Sequence, residues 1–162
     1  MEAGRAVQQG IARMSQGGAV LTVHLFSFSY RLRGIPPDEG GNGGGFVFDC
    51  RCLPNPHWDE ALRPYAGHEP PIAAFMARHP EVAAFVGHAE ALVLQAARCY
   101  EADGRERLMV SCGCTGGRHR SVYVAERLAA ALRAAGIPVV LQHLDLQRAA
   151  AENGAEGGPC AP

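Results

Sequence analysis

Residues 108–135, LMVSCGCTGGRHRSVYVAERLAAALRAA, decide how this chain is read. Leu108 to Cys112 is a short continuous apolar run, the pattern of a strand buried on both faces. Ser121 to Ala135 repeats with helical period and puts Val124, Leu128 and Leu132 on one face. Between the two lie Gly113, Gly116 and Gly117, the hydroxyl of Thr115, the guanidiniums of Arg118 and Arg120, and the imidazole of His119. Strand, glycine-rich turn and helix therefore follow in order. Such a turn lets successive backbone N–H groups point at one spot while the helix amino terminus adds its positive dipole end. Arginine supplies a planar fork that fits phosphate oxygens. The stretch is expected to bind a phosphate.

Outward from this stretch, three further runs read as strands. Val20 to Phe28 alternates and is rich in branched and aromatic residues, Phe46 opens a strand through FVFDCR, and Pro138 to His143 reads as the last. Arg33 to Gly45 carries Pro36, Pro37 and a run of glycines and is expected to be a mobile loop. Leu53 to Gly67 is punctuated by prolines and should be ordered but irregular. A short helix is expected after the proline pair at Pro70, with Ile72, Phe75 and Met76 inward. A longer one should bury Val82, Phe85, Val86, Ala89, Leu92, Val93, Ala96 and Tyr100, ending at Asp103-Gly104.

Strands separated by helices predict a single α/β domain: a mostly parallel sheet of about four strands covered by helices, with the phosphate-binding turn between a strand and a helix. The ligand should then sit at the carboxyl ends of the strands, where Asp49-Cys50-Arg51 and Gly113 to Ser121 converge. The domain is expected over 19–148. Residues 1–18 are expected to form a flexible or short helical segment, and 149–162 a disordered tail, being poor in bulky apolar residues.

Composition limits the partners. Fifteen arginines, no lysine and sixteen acidic residues give a net charge of −1, far from the basic excess of a dedicated nucleic-acid binder. RNA binding is disfavoured on this ground. No apolar run reaches the roughly 18 residues of a membrane span, and the amino terminus lacks the apolar stretch of a secretory signal, so a cytoplasmic protein is expected. The cysteines include two Cys-x-Cys pairs, Cys50/Cys52 and Cys112/Cys114. Zinc sites favour wider spacing on tight turns, so the thiols are read as small buried hydrophobes in a reducing compartment, with no metal and no cofactor.

Cys114 to Ser121 also spells C-x-x-G-x-x-R-S, which is similar to the loop of cysteine-dependent phosphatases. In that alternative Cys114 is the nucleophile, Arg120 the oxygen clamp, and Asp49 or Asp59 the acid. Gly113 stands where those enzymes usually carry a histidine.

From Val20 to about Arg148 the sequence resembles the carboxyl-terminal domain of the RapZ family. The resemblance rests on Ser27-Phe28 with Gly34-Ile35-Pro36, on Val47-Phe48-Asp49-x-Arg51-x-Leu53-Pro54-Asn55-Pro56-His57-Trp58, on Leu62-Arg63-Pro64, and on Gly113-Cys114-Thr115-Gly116-Gly117-x-His119-Arg120-Ser121-Val122-Tyr123-x-Ala125-Glu126. It implies a domain that senses an amino-sugar phosphate, glucosamine-6-phosphate, and that in enterobacteria is the RNA-binding part of an adapter for an endoribonuclease.

The ligand-binding residues it implies are Arg31, Asp49, Arg51, Asn55, His57, Cys114, Thr115, Gly116, Gly117, His119, Arg120 and Ser121, with His119 donating to the anion. Arg118 stands in place of a glutamine and reads as a solvated surface arginine. Full-length members carry a P-loop domain, whereas these 162 residues contain no G-x-x-x-x-G-K-[ST]. ATP or GTP hydrolysis is therefore not expected of this stretch. A partner protein supplying a P-loop domain, or an enzyme of sugar metabolism, is expected instead. The lysine- and arginine-rich tail of RNA-binding members is replaced by AAAENGAEGGPCAP. Arg31 takes the place of a lysine after the first strand, beside a glycine-rich insertion at Gly40 to Gly45.

Overall fold

The computed structural model describes residues 20–148. The expectations for 1–18 and 149–162 lie outside the described residues. Four strands form one parallel sheet: β1 (Thr22–Ser29), β2 (Phe46–Asp49), β3 (Arg107–Cys114) and β4 (Val139–His143), in the order β2-β3-β1-β4. Helices α1 (Pro70–Ala77) and α2 (Pro80–Ala102) lead from β2 to β3, and α3 (Arg120–Ala134) leads from β3 to β4. This is an α/β fold with an all-parallel sheet flanked by helices.

Alternation along the strands explains how the layers meet. Leu21, Val23 and Leu25 of the β1 segment, with Leu108, Val110, Cys112 and Cys114 of β3, enter one buried cluster. There they meet Val82, Val86, Ala89 and Val93 of α2 and Val124, Ala125, Leu128 and Leu132 of α3. Side chains two apart on a strand share a face, so a single apolar row suffices to dock both helices. The stripe on α2 is rotated from expectation. Leu92 is 50% exposed, because Val93 and Ala97 take the inward positions and a neighbour on a helix points about 100° away. Phe85, Ala96 and Tyr100 pack at the margin of the cluster.

Two strand ends also differ. β3 runs on through Gly113 and Cys114, since Phe28 of β1 and Asp49 of β2 bracket Gly113 and extend both ladders. A side chain at Gly113 would collide with the rings of Phe28 and Tyr30. β2 stops at Asp49, and Cys50–Cys52 coils into a 3-10 turn because the Asp49 carboxylate takes the Arg51 N–H at 2.9 Å. The glycine-rich loop after β1 has no regular structure, yet it is organised around Asp38, whose carboxylate accepts the N–H groups of Gly40, Asn42 and Gly44 at 2.9, 3.1 and 3.2 Å. These bonds, that from Gly40 foremost, hold the Asp38 carboxyl below the usual range.

Register brings the carboxyl ends of the strands to one edge, with Ser29 opposite Cys114, Asp49 opposite Gly113 and Ser27 opposite His143. The irregular segment 53–67 crosses that edge on two 3-10 turns, Pro56–Trp58 and Glu60–Leu62, capped by Asn55 and Asp59. It docks through Gly67, whose N–H donates to the Arg118 carbonyl at 2.9 Å. A Cβ at Gly67 would lie 2.1 Å from the His119 carbonyl oxygen. Gly67→Ala is therefore expected to lower stability by about 1–3 kcal/mol, as for other overpacked contacts. Chemical denaturation of both proteins checks this; an unchanged midpoint would show that the segment is not docked in this way.

Candidate anion-binding cleft

The turn from β3 to α3 is held by its carbonyls. Tyr30 N–H donates to the Cys114 carbonyl at 3.0 Å and Arg31 N–H to that of Thr115 at 3.3 Å. The Ser29 hydroxyl donates to the same Thr115 oxygen at 2.6 Å, and Gly67 takes the Arg118 carbonyl. With these oxygens fixed, the planar peptides set the amides of Thr115, Gly116 and His119 on the opposite side of the backbone. Among the described residues, the amides of Thr115, Gly116, Gly117, Arg118 and His119 donate to no carbonyl or side chain. The first amides of α3 add further free donors, as at every helix start. Gly117 permits the bend: its φ is 67°, and a Cβ there would press on Ser29 and Asp145.

Above the turn lies a cleft of about 320 Å³ lined by Arg31, Asn55, His57, Trp58, Cys114, Thr115, Gly116, Arg118, His119 and Arg120. Of the residues expected from sequence, Arg31, Asn55, His57, Cys114, Thr115, Gly116, His119 and Arg120 come together there. Gly117 and Ser121 lie beneath, with the Ser121 hydroxyl 3.1 Å from the Cys114 sulfur. Asp49 and Arg51 do not line the cleft. They form their own ion pair at 2.6 Å, with the Arg51 guanidinium 3.9 Å from the centre of the Tyr30 ring. Hydrogen bonding to Arg51 holds the Asp49 carboxyl below the usual range, so it is an ionised partner and not a poised acid. The Asp59 carboxylate caps a turn by accepting the Ala61 N–H.

Three cleft residues depart from their sequence readings. Arg118 is half-buried, not solvated: its guanidinium donates to the Pro64 carbonyl and its Nε is buried with no partner. Its place inside the turn was the available signal. Trp58, quoted above only as a motif residue, stands 80% exposed at the rim. Arg120 is only 7% exposed, and its Nη1 donates to the carbonyls of Arg51 and Leu53 at 2.8 and 3.2 Å. It fastens the 3-10 turn after β2 to the start of α3 while still lining the cleft. Sequence reading also passed over Asp145, a fully buried carboxylate that accepts the Ser29 N–H at 2.9 Å and Arg33 Nε at 3.0 Å. Its sequence signal is an acid just past the end of β4. Among the described residues no group of His, Cys, Asp or Glu is arranged to hold a metal ion. The Cys50 thiol donates to the Phe48 carbonyl at 3.7 Å, and the adjoining Cys112 thiol together with burial pushes it well up.

His119 is 6% exposed, and its Nε2 is buried without a hydrogen-bond partner. Burial first, then the Arg118 charge, lower its pKa from 6.5 to about 4. A histidine whose folded pKa is depressed is neutral in both states above 6.5, where its contribution to stability is complete. As pH falls toward 4 the unfolded chain takes the proton and the folded chain does not, so that contribution is lost. Denaturation between pH 8 and 4 should show this loss, and His119→Gln should flatten it. A ring titrating near 6.5 by NMR would contradict the burial argument.

Comparison with known proteins places this geometry. A family model for the RapZ C-terminal domain matches residues 21–147. The RNase adapter protein RapZ of Serratia proteamaculans is 44% identical over 128 residues, 79% of this chain and 43% of that protein. A nucleotide-binding protein of Laribacter hongkongensis is 40% identical over 144 residues, 89% of this chain and 49% of that protein. One from Methylococcus capsulatus is 40% identical over 136 residues, 84% of this chain and 44% of that protein. The chain spans about half the length of the curated relatives it matches. With a match running from the first strand to just past the last, the chain belongs to the RapZ C-terminal domain family.

Proposed function

We propose that this domain is a regulatory binding module that recognises a phosphorylated sugar, such as glucosamine-6-phosphate, and signals its presence to a partner protein. The observation that carries the reading is the row of unpartnered amides leading into α3, in a cleft whose lining includes Arg31, Arg118 and Arg120. Free N–H groups converging at a helix amino terminus, with arginine around them, suit a compact dianion. Among the described residues no carboxylate lines the cleft to oppose it. The exposed Trp58 face and the Asn55 amide give a sugar ring an apolar platform and a polar edge, the usual pairing in carbohydrate-sized sites.

The relative named an RNase adapter supports a ribonuclease as the class of partner, and such a role fits a cytoplasmic protein. No described helix is long and apolar enough to cross a membrane. A P-loop domain or an enzyme of sugar metabolism remains the other class of partner. Net charge weighs against RNA as a direct ligand of this stretch.

A cysteine-dependent phosphatase is the second reading, favoured by the Cys114 sulfur lining the cleft beside the Ser121 hydroxyl. Among the described residues it lacks an acid, since Asp49 is locked to Arg51 outside the cleft and Asp59 caps a turn.

Calorimetry with glucosamine-6-phosphate tests the first reading. A Cβ at Gly116 meets nothing within 4 Å, so Gly116→Asp should fold normally while placing a carboxylate among the amides. Affinity should fall at least about tenfold, the effect of removing one charge-assisted contact or more. Unchanged affinity would put the ligand elsewhere. Cys114→Ser should keep the ligand; release of phosphate from an aryl phosphate by the unmodified protein, lost in Cys114→Ser, would establish the second reading.

A further inference from the structure

A second cavity, of about 320 Å³ and sharing no lining residue with the cleft, opens between α3 and the stretch that leads into α1. Its lining is Gly67, His68, Ala73, Tyr123, Glu126 and Arg127. The three α3 residues stand at i, i+3 and i+4 and so share one face of the helix, while Val124, Ala125 and Leu128 enter the core. Gly67 and Ala73 contribute almost no side chain opposite them, which leaves the space open.

One wall of this cavity is fastened from inside the sheet. The hydroxyl of Ser27, a fully buried residue of β1, lies 2.8 Å from Nδ1 of His143 at the end of β4, and Nε2 of that ring lies 3.1 Å from Oε1 of Glu126. A carboxylate only accepts, so Nε2 is the donor. The chain of bonds ends on a glutamate whose side chain is 39% exposed. A glutamate on a helix surface ordinarily swings free; this one is held in place, with its second oxygen left to accept from a ligand. The His68 ring lies nearly parallel to that of His143, at 12° and 6.3 Å between centres. Arg127, exposed on the same face of α3, makes no hydrogen bond or ion pair among the described residues. Acid and base therefore line one cavity without neutralising each other.

We propose that this cavity is a second ligand site, for a free α-amino acid whose ammonium donates to Glu126 and whose carboxylate is held by Arg127. A carboxylate already oriented by His143 loses little freedom when it gains an ammonium partner. The planar fork of Arg127 matches a carboxylate with two parallel bonds. The Tyr123 ring and the Ala73 methyl offer apolar surface to the amino acid's side chain. A lone amine leaves Arg127 unmatched, and a lone carboxylate meets the like charge of Glu126, so the wall selects the ligand that carries both. The site is independent of the phosphorylated-sugar reading, which stands or falls on the cleft.

The test is a chemical-shift titration of the isotopically labelled protein with each of the common L-amino acids at millimolar concentration. At least one should bind saturably and move the amides of Gly67, His68 and residues 123–127 while those of 115–119 stay in place. Its primary amide, which lacks the carboxylate charge, and its N-acetyl derivative, which lacks the ammonium, should each bind about tenfold more weakly or worse. Glu126→Gln keeps an acceptor for His143 and should weaken the amino acid by a similar factor, yet leave the N-acetyl derivative unaffected. Arg127→Gln, at an exposed position, should melt like the unmodified protein, weaken the amino acid and leave the primary amide unaffected. The proposal is overturned if no amino acid moves the amides around the cavity, if the shifts fall on 115–119 instead, or if binding is indifferent to both substitutions.

Discussion

Ser29, at the end of β1, is the joint on which the cleft depends. Its N–H goes to the buried Asp145 and its hydroxyl donates to the Thr115 carbonyl. That hydroxyl oxygen also accepts the Leu32 N–H at 3.0 Å, and the Ser29 carbonyl accepts the N–H groups of Arg33 and Gly34. Every polar group of one buried residue is thereby used to set the exit of β1, the end of β4 and the turn after β3 against each other. Gly117 fits over it at a φ of 67°, where a Cβ would be strained and come within 3.0 Å of Ser29. Fixing the carbonyls of Cys114, Thr115 and Arg118 fixes, by the planarity of the peptide, where the amides of Thr115, Gly116 and His119 point. The proposed anion cradle is thus a consequence of how the sheet edge is tied.

Charge in the cleft follows the same economy. Arg120 divides its guanidinium between the carbonyls of Arg51 and Leu53 and the cleft wall, so the segment that supplies Asn55, His57 and Trp58 is anchored by a residue of the cleft itself. Asp49, the acid at the end of β2, is paired with Arg51 outside it. The result is a concave surface lined by three arginines and, among the described residues, by no carboxylate. Binding there needs little rearrangement of the backbone, because the donors are preorganised by the fold and not by the ligand.

Much of this was legible in the residues. The strand, turn and helix of 108–135 are a local pattern, and the glycines with Thr115, His119 and Arg120 announce the turn's chemistry. Four strands, two helices between β2 and β3, and the irregular 53–67 segment follow from periodicity and proline placement. What sequence did not give depends on contacts remote along the chain. The extension of β3 to Cys114 needs partners on both sides. The phase of α2, which leaves Leu92 outward, is settled by packing and not by the pattern alone. The pairing of Asp49 with Arg51, the burial of Arg118 and the role of Asp145 are three-dimensional facts about residues whose types allow several fates.

The central claim is that the backbone amides at residues 115–119 form the anion cradle. Amide proton and nitrogen shifts of the isotopically labelled protein, followed while glucosamine-6-phosphate is added, read those groups one by one. The account predicts that Thr115, Gly116, Gly117, Arg118 and His119 move downfield together, with a shared saturation point, as each N–H gains a charged acceptor. Saturable binding that leaves these amides unmoved and shifts others would contradict it.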